Sequence, residues 1–161
     1  MEIDQGVAAV IGAIIGLVGG FLVAGMSYQQ KADELFFKAL DYLGGGSQNR
    51  NLGISAIELY WGKRRHRNVC VSLLCGSAIY LLRQSKQDKA AHELNNLDRI
   101  MSLLVTNERI NESQKLGYRN LRKAVGDAIN DAPSRTANSR GLNVDLQILN
   151  DWKTTLDSIV R

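Results

Sequence analysis

Five consecutive residues, Lys63, Arg64, Arg65, His66 and Arg67, form the densest charged run of the sequence. Four cations this close together can bind anionic lipid headgroups, nucleic-acid phosphates or an acidic patch on a protein. A solvated loop between two helices is the simplest interpretation of the same run. Nucleic acid is the least expected ligand, because such binding usually needs more basic surface with exposed aromatic side chains interleaved. Besides the loop interpretation, we hold Lys63, Arg64, Arg65 and Arg67 as the candidate residues for binding an anionic lipid or a partner.

The soft metal ligands of the chain are two histidines and two cysteines, namely His66, Cys70, Cys75 and His92. A zinc site needs three or four convergent ligands, and only His66 and Cys70 have a spacing that places them on one helix face. The two cysteines are five residues apart and would point in different directions on a helix. We expect buried, reduced thiols, a solvated His66, and neither a metal ion nor a cofactor.

Residues that could support catalysis are few. Asp33, Glu34, Glu108 and Glu112 supply carboxylates on expected helices, but nothing in the sequence indicates the burial that acid–base catalysis requires. The glycines fit neither a phosphate-binding loop nor a dinucleotide fingerprint, since no strand precedes them. We expect a protein that is not an enzyme. A membrane-tethered helical enzyme, with carboxylates or His92 in a pocket, stays open as an alternative.

The longest distinctive feature is the uncharged segment 6–30. About 20 apolar residues match the ~30 Å hydrocarbon core of a bilayer, so the segment is predicted to be a transmembrane helix. All 20 lysines and arginines follow this run, whereas Glu2 and Asp4 precede its apolar part. The positive-inside rule then places residues 1–5 outside the cell membrane and the remainder in the cytoplasm. A cleaved signal peptide is the main competing interpretation, although its first residues should be basic.

Small residues recur at every fourth position of this segment, at Ala8, Gly12, Gly16, Gly20 and Ala24. Such a small-residue ladder lets two helix backbones approach closely, which is how helices associate in lipid. The partner is an identical chain or another membrane subunit. A membrane-perturbing toxin would need a polar stripe within the span, and none exists between Val7 and Met26.

The remainder of the sequence predicts an all-α fold, because its apolar residues recur at helical spacing. Gly44, Gly45 and Gly46 are expected to end the first helix with left-handed backbone angles. Helices are then predicted over 49–61, 69–82, 88–105, 108–131 and 144–160. The second of these is an uncharged run and is expected to be buried on all sides. The predicted domains are a helical domain over 31–132, a linker over 133–142 and an amphipathic helix over 143–161.

The stretch ALDYLGGGSQNRNLGISAIELYW, residues 39–61, resembles a helical pair of the HEAT or armadillo type. A second pair over 69–105 extends the resemblance across 39–105. The resemblance implies a stacked helical surface that binds proteins. Together with the predicted anchor, it favours a single-pass adaptor or a subunit of a larger membrane complex.

Overall fold

The computed structural model describes residues 23–34, 36–38, 40–85, 90–107, 110–134 and 141–161. It divides into two compact units, Met1–Phe37 and Lys38–Arg161. The described residues of the first unit are helical, and Val23, Met26 and Tyr28 are exposed there. Within the described part of the chain, none of the helices combines the length and the apolar character that crossing a bilayer requires. Residues 6–22 of the predicted anchor lie outside this part.

The second unit contains five complete helices, which confirms the all-α prediction for the described residues. They are α1 (Ser47–Tyr60), α2 (Arg64–Gln84), α3 (Ala90–Val105), α4 (Glu112–Asp131) and α5 (Leu146–Val160), with a short 3-10 helix at Ala132–Ser134. The most extensive packing joins α2 to α4, and α4 also packs on α5. Helix α3 contacts α1, α2 and α5. Helices two apart in sequence therefore lie side by side, and the consecutive pairs α2 with α3 and α4 with α5 are also in contact.

The core lies between these helices. Leu74 and Leu81 of α2, Leu97 and Ile100 of α3, and Leu121 of α4 are each 0% exposed. The two residues of α2 and the two of α3 recur at helical spacing, so each of these helices buries one stripe in the core. The stripe of α4 is centred on Tyr118, Leu121, Ala124, Val125 and Ala128.

Three local predictions were wrong. The basic run was expected to be a loop, but α2 begins at Arg64, so residues 64–67 form its first turn; arginine is a good helix former and does not break a helix. The glycines 44–46 do not use left-handed angles. Their turn is closed by hydrogen bonds that Gly44 N and Gly45 N donate to the carbonyls of Asp41 and Tyr42. The helical spacing of 144–160 predicts that Ile148 is buried together with Leu149 and Leu156. Ile148 is instead 43% exposed, whereas Leu149 and Leu156 are buried.

Helix α4 begins later than predicted, at a capping box that the sequence carries. The Asn111 side chain accepts a hydrogen bond from the backbone of Gln114, whose side chain accepts one from the backbone of Asn111. Asp145 caps α5 through bonds from Gln147 N and Ile148 N. These caps satisfy backbone donors that a helix start would otherwise leave unpaired.

Candidate functional site

Helix α2 presents a second apolar face on the side away from the core. Val69, Leu73 and Tyr80 are 42–46% exposed, and Gly76 lies between them on the same face. Their spacing of four, three and four residues forms a stripe along one side of a helix. The prediction that this helix is buried on all sides was therefore wrong for the described residues, since one of its apolar faces is open.

A groove of about 610 Å³ runs beside this face. Helix α2 supplies one wall, and the helical residues 40–43 with the turn that follows them supply the other. The second wall consists of Leu40, Asp41, Leu43, Gly44 and Gly45, with Arg50 behind it. Both walls belong to the second unit, so a single folded body forms the groove.

Arg50 holds the second wall in place. Its Nε donates to the Leu43 carbonyl at 3.3 Å, and its NH2 group donates to the Gly45 carbonyl at 3.1 Å. The guanidinium also lies 5.3 Å from the centroid of the Tyr80 ring, which links the turn to α2. These contacts connect the two walls of the groove.

The charge of Arg50 is neutralised inside the protein. Its NH1 group forms an ion pair with the Glu93 carboxylate, and both side chains are at most 7% exposed. Asn96 supports Glu93 by donating to its other oxygen at 3.1 Å. Asp41 is exposed on the groove wall, and no described basic side chain forms an ion pair with it. Asp41 therefore places an exposed carboxylate on the wall of the groove.

The predicted basic cluster lies at the N-terminal end of α2, where Arg67 precedes Val69 of the apolar face by two residues. Lys63 is the N-cap residue, and Arg64, Arg65 and Arg67 follow in the first turn. The Lys63 ammonium lies 5.2 Å from the Tyr60 ring centroid, and the His66 ring meets Tyr60 edge-on at 5.3 Å. His66 is 9% exposed, so the expectation of a solvated histidine was wrong.

The cysteines behave as expected, as free, buried thiols. Burial raises the pKa of Cys70 and of Cys75 to about 12, so both are protonated at neutral pH. Among the residues described, no group of three histidine, cysteine or acidic side chains could hold a metal ion. His92 is exposed near the start of α1, apart from the thiols.

Four ladder residues, Ala8, Gly12, Gly16 and Gly20, lie outside the described residues, and Ala24 is helical and exposed.

The groove residues were missed by sequence reasoning, since Arg50 and Tyr80 are 30 positions apart in the sequence and Glu93 is 43 positions from Arg50. One signal existed. The run from Asn68 to Leu82 is uncharged across every helix face, which is more apolar surface than one core stripe needs.

Comparisons of the chain with protein-family models, with curated proteins and with solved structures found no match. The resemblance of residues 39–105 to helical repeats therefore stays an expectation.

Proposed function

We propose that the chain is a single-pass membrane-anchored adaptor or a subunit of a larger membrane protein complex. Residues 6–30 are its anchor, and the ladder from Ala8 to Ala24 assembles it with an identical chain or another subunit. The support is the length of the uncharged run and the placement of every lysine and arginine after it. The helical domain then faces the cytoplasm.

The groove beside α2 carries the docking part of this proposal. Apolar side chains that are exposed in one stripe, next to a concave surface, are typical of protein interaction sites. Alternate helices also pack side by side, as in stacked helical pairs, which supports a repeat-like platform.

The basic cluster gives the domain a second contact, with anionic lipid headgroups. Lys63, Arg64, Arg65 and Arg67 lie at the positive end of the α2 dipole, and the first turn of α2 contains no acid. Cations are unfavourable there, so their placement has a cost that an anionic surface would offset. The membrane is the nearest polyanion for an anchored domain.

Substitution within the ladder tests the proposal. Gly16→Ile adds a branched side chain where the backbones would meet, whereas Val18→Ile changes a residue off the ladder by a single methylene. Both variants of the full chain should remain in membranes after alkaline carbonate washing. Crosslinked species should fall about tenfold for Gly16→Ile and stay unchanged for Val18→Ile.

Release of the wild-type chain by carbonate would refute the anchor. Equal crosslinking of the two variants would refute assembly through the ladder.

A further inference from the structure

We propose that the turn between α1 and α2 inserts into an anionic bilayer, with Leu59 as the side chain that enters the lipid. The turn comprises residues 59–63, and the basic cluster continues from it into the first turn of α2. This inference rests on the proposed function, because it deepens the proposed contact of the basic cluster with headgroups. It adds an apolar group to that contact and states which end of the domain faces the membrane.

The turn exposes apolar surface beside the cations. Leu59 is 83% exposed, which makes it the most exposed large apolar side chain among the residues that the structure describes. Trp61 is partly exposed, and Gly62 is exposed with no atom within 4 Å of an added Cβ. A single exposed leucine is common on protein surfaces. Here the leucine, the tryptophan and four cations fall within residues 59–67, a combination typical of segments that lie in a membrane interface.

Backbone hydrogen bonds and ring contacts hold the turn in shape. Trp61 N donates to the Glu58 carbonyl at 3.3 Å, and Lys63 N donates to the Tyr60 carbonyl at 2.9 Å. The centroid of the Tyr60 ring is 5.2 Å from the Lys63 ammonium and 5.3 Å from the centroid of the His66 ring. A preformed turn therefore presents Leu59. Its insertion requires no segment to fold, which keeps the ordering cost of binding low.

The charges around the turn favour an anionic surface. Residues 59–84 contain no acidic side chain. Glu58, at the base of the turn, is neutralised by Arg99, which donates to its two carboxylate oxygens at 3.0 and 2.6 Å. Glu112, at the start of α4, is paired with Lys115 at 2.6 Å. Asp98, next to Arg99 in the sequence, is a further exposed acid, so the four cations of the cluster still predominate.

An anionic bilayer suits both parts of this surface. Its headgroups attract the cations, and the boundary between headgroups and acyl chains takes up leucine and tryptophan side chains. A nucleic acid would meet the cations through its phosphates but would leave Leu59 in water. For an anchored domain, lipid is also the polyanion at the highest effective concentration. The charge and the apolar surface together therefore select the bilayer.

The test uses the full chain in nanodiscs with about 20% phosphatidylserine and a fluorescent label on Gly62→Cys, since the native thiols are buried. Lipids that carry a spin label either at the headgroup or high on the acyl chain quench the fluorescence according to the depth of the label. We expect quenching from both positions in the anionic discs. Discs of neutral phosphatidylcholine should give little quenching from either position.

Three variants locate the insertion. Leu59→Ser should lower the ratio of docked to free domain, read from the quenching, about tenfold, which is the lower end of what burying a leucine side chain contributes. Leu59→Phe keeps an apolar side chain and should retain quenching from the acyl chain. The matched control Leu52→Ser removes a leucine of α1 that is 59% exposed and lies about 10 Å further along the helix axis. It should change nothing.

Equal acyl-chain quenching in the wild type and Leu59→Ser would overturn the inference. An equal loss in Leu52→Ser would also overturn it, because the side of α1, and not the turn, would then contact the lipid. The absence of quenching in anionic discs would overturn it as well. A rise in label anisotropy on adding polyglutamate or RNA would in that case assign the turn to an acidic protein or a nucleic acid.

The same variants separate this inference from the proposed function. If carbonate releases the chain but anionic vesicles still sediment it in a manner that depends on Leu59, the turn inserts and the proposed anchor fails. If the chain stays anchored and only the headgroup label quenches, the insertion fails and the proposed function stands.

Discussion

The Arg50–Glu93 ion pair joins α1 to α3 inside the protein, and Arg50 also donates to two carbonyls of the preceding turn. Removing one partner would leave the other charge buried without compensation. We expect Arg50→Met to lower the free energy of unfolding by about 3–5 kcal/mol, as breaking buried pairs generally does. Chemical denaturation of the full chain in mild detergent, followed by tryptophan fluorescence, measures this loss.

A double variant provides the control for this pair. Arg50→Met with Glu93→Leu removes both charges, so it should recover more than half of the stability lost in the single variant. Additive losses in the double variant would show that the contacts of Arg50 with the turn, and not its charge pairing, dominate.

The two buried thiols make stability depend on alkaline pH. Burial raises the pKa of Cys70 and Cys75 to about 12 from an ordinary value of 9.0, so the folded state disfavours the thiolates. Their contribution is complete below pH 9 and is lost as the pH rises from 9 toward 12. Burial likewise raises the pKa of Tyr118 from 10.0 to about 12. We expect the urea midpoint to begin falling near pH 9.

Cys70→Ala combined with Cys75→Ala isolates the thiols. The decline should then begin near pH 10, where the Tyr118 hydroxyl starts to ionise in the unfolded chain. An unchanged onset would mean that other groups control the alkaline transition.

At the scale of elements, the segment just before α5 caps the C-terminal end of α2. Gly141 N donates to the Ser85 carbonyl and Leu142 N donates to the Leu81 carbonyl, both at 3.0 Å. Leu142 is fully buried. These two residues fall within the predicted linker 133–142, whose residues 135–140 lie outside the description. Gly141 and Leu142 thus behave as part of the folded unit.

Gly141 is the position where this contact depends on a glycine. Its φ is +86°, and an added Cβ would lie 2.0 Å from the Leu82 carbonyl oxygen. We expect Gly141→Ala to cost about 2–4 kcal/mol, because it combines backbone strain with loss of two hydrogen bonds. Gly126→Ala, on α4 with nothing within 4 Å, should instead stabilise by about 0.5–1 kcal/mol. Urea denaturation of both variants tests the contrast, and losses of equal size would contradict it.

Helical periodicity identified every complete helix, because each one buries a stripe such as Leu97, Ile100, Met101 and Leu104. The first and last residues of the helices were less predictable from the sequence. The start of α2 is made of arginines, which carry no apolar signal, and the start of α4 is set by Asn111 and Gln114 side chains. The groove was beyond prediction, because its walls are brought together by Arg50, Glu93 and Tyr80 from three separate helices.

At the scale of the whole molecule, the apolar anchor and the basic start of α2 would place the domain against a lipid surface. Each cation near an anionic bilayer contributes about 1 kcal/mol. Lys63→Gln with Arg67→Gln should therefore weaken headgroup contact by about 2 kcal/mol, or about thirtyfold in the equilibrium constant. Lys153→Gln with Arg161→Gln removes two exposed charges elsewhere and should change nothing.

A label at Gly62→Cys reports this contact, because a side chain there meets no atom within 4 Å and the native thiols are buried. Quenching by spin-labelled lipid, in nanodiscs with about 20% phosphatidylserine or with none, measures how close the label lies to the headgroups. We expect strong quenching only with the anionic lipid and only while Lys63 and Arg67 are present. Equal quenching in neutral discs would show that tethering alone brings the domain to the surface, and the basic cluster would then have no lipid-binding role.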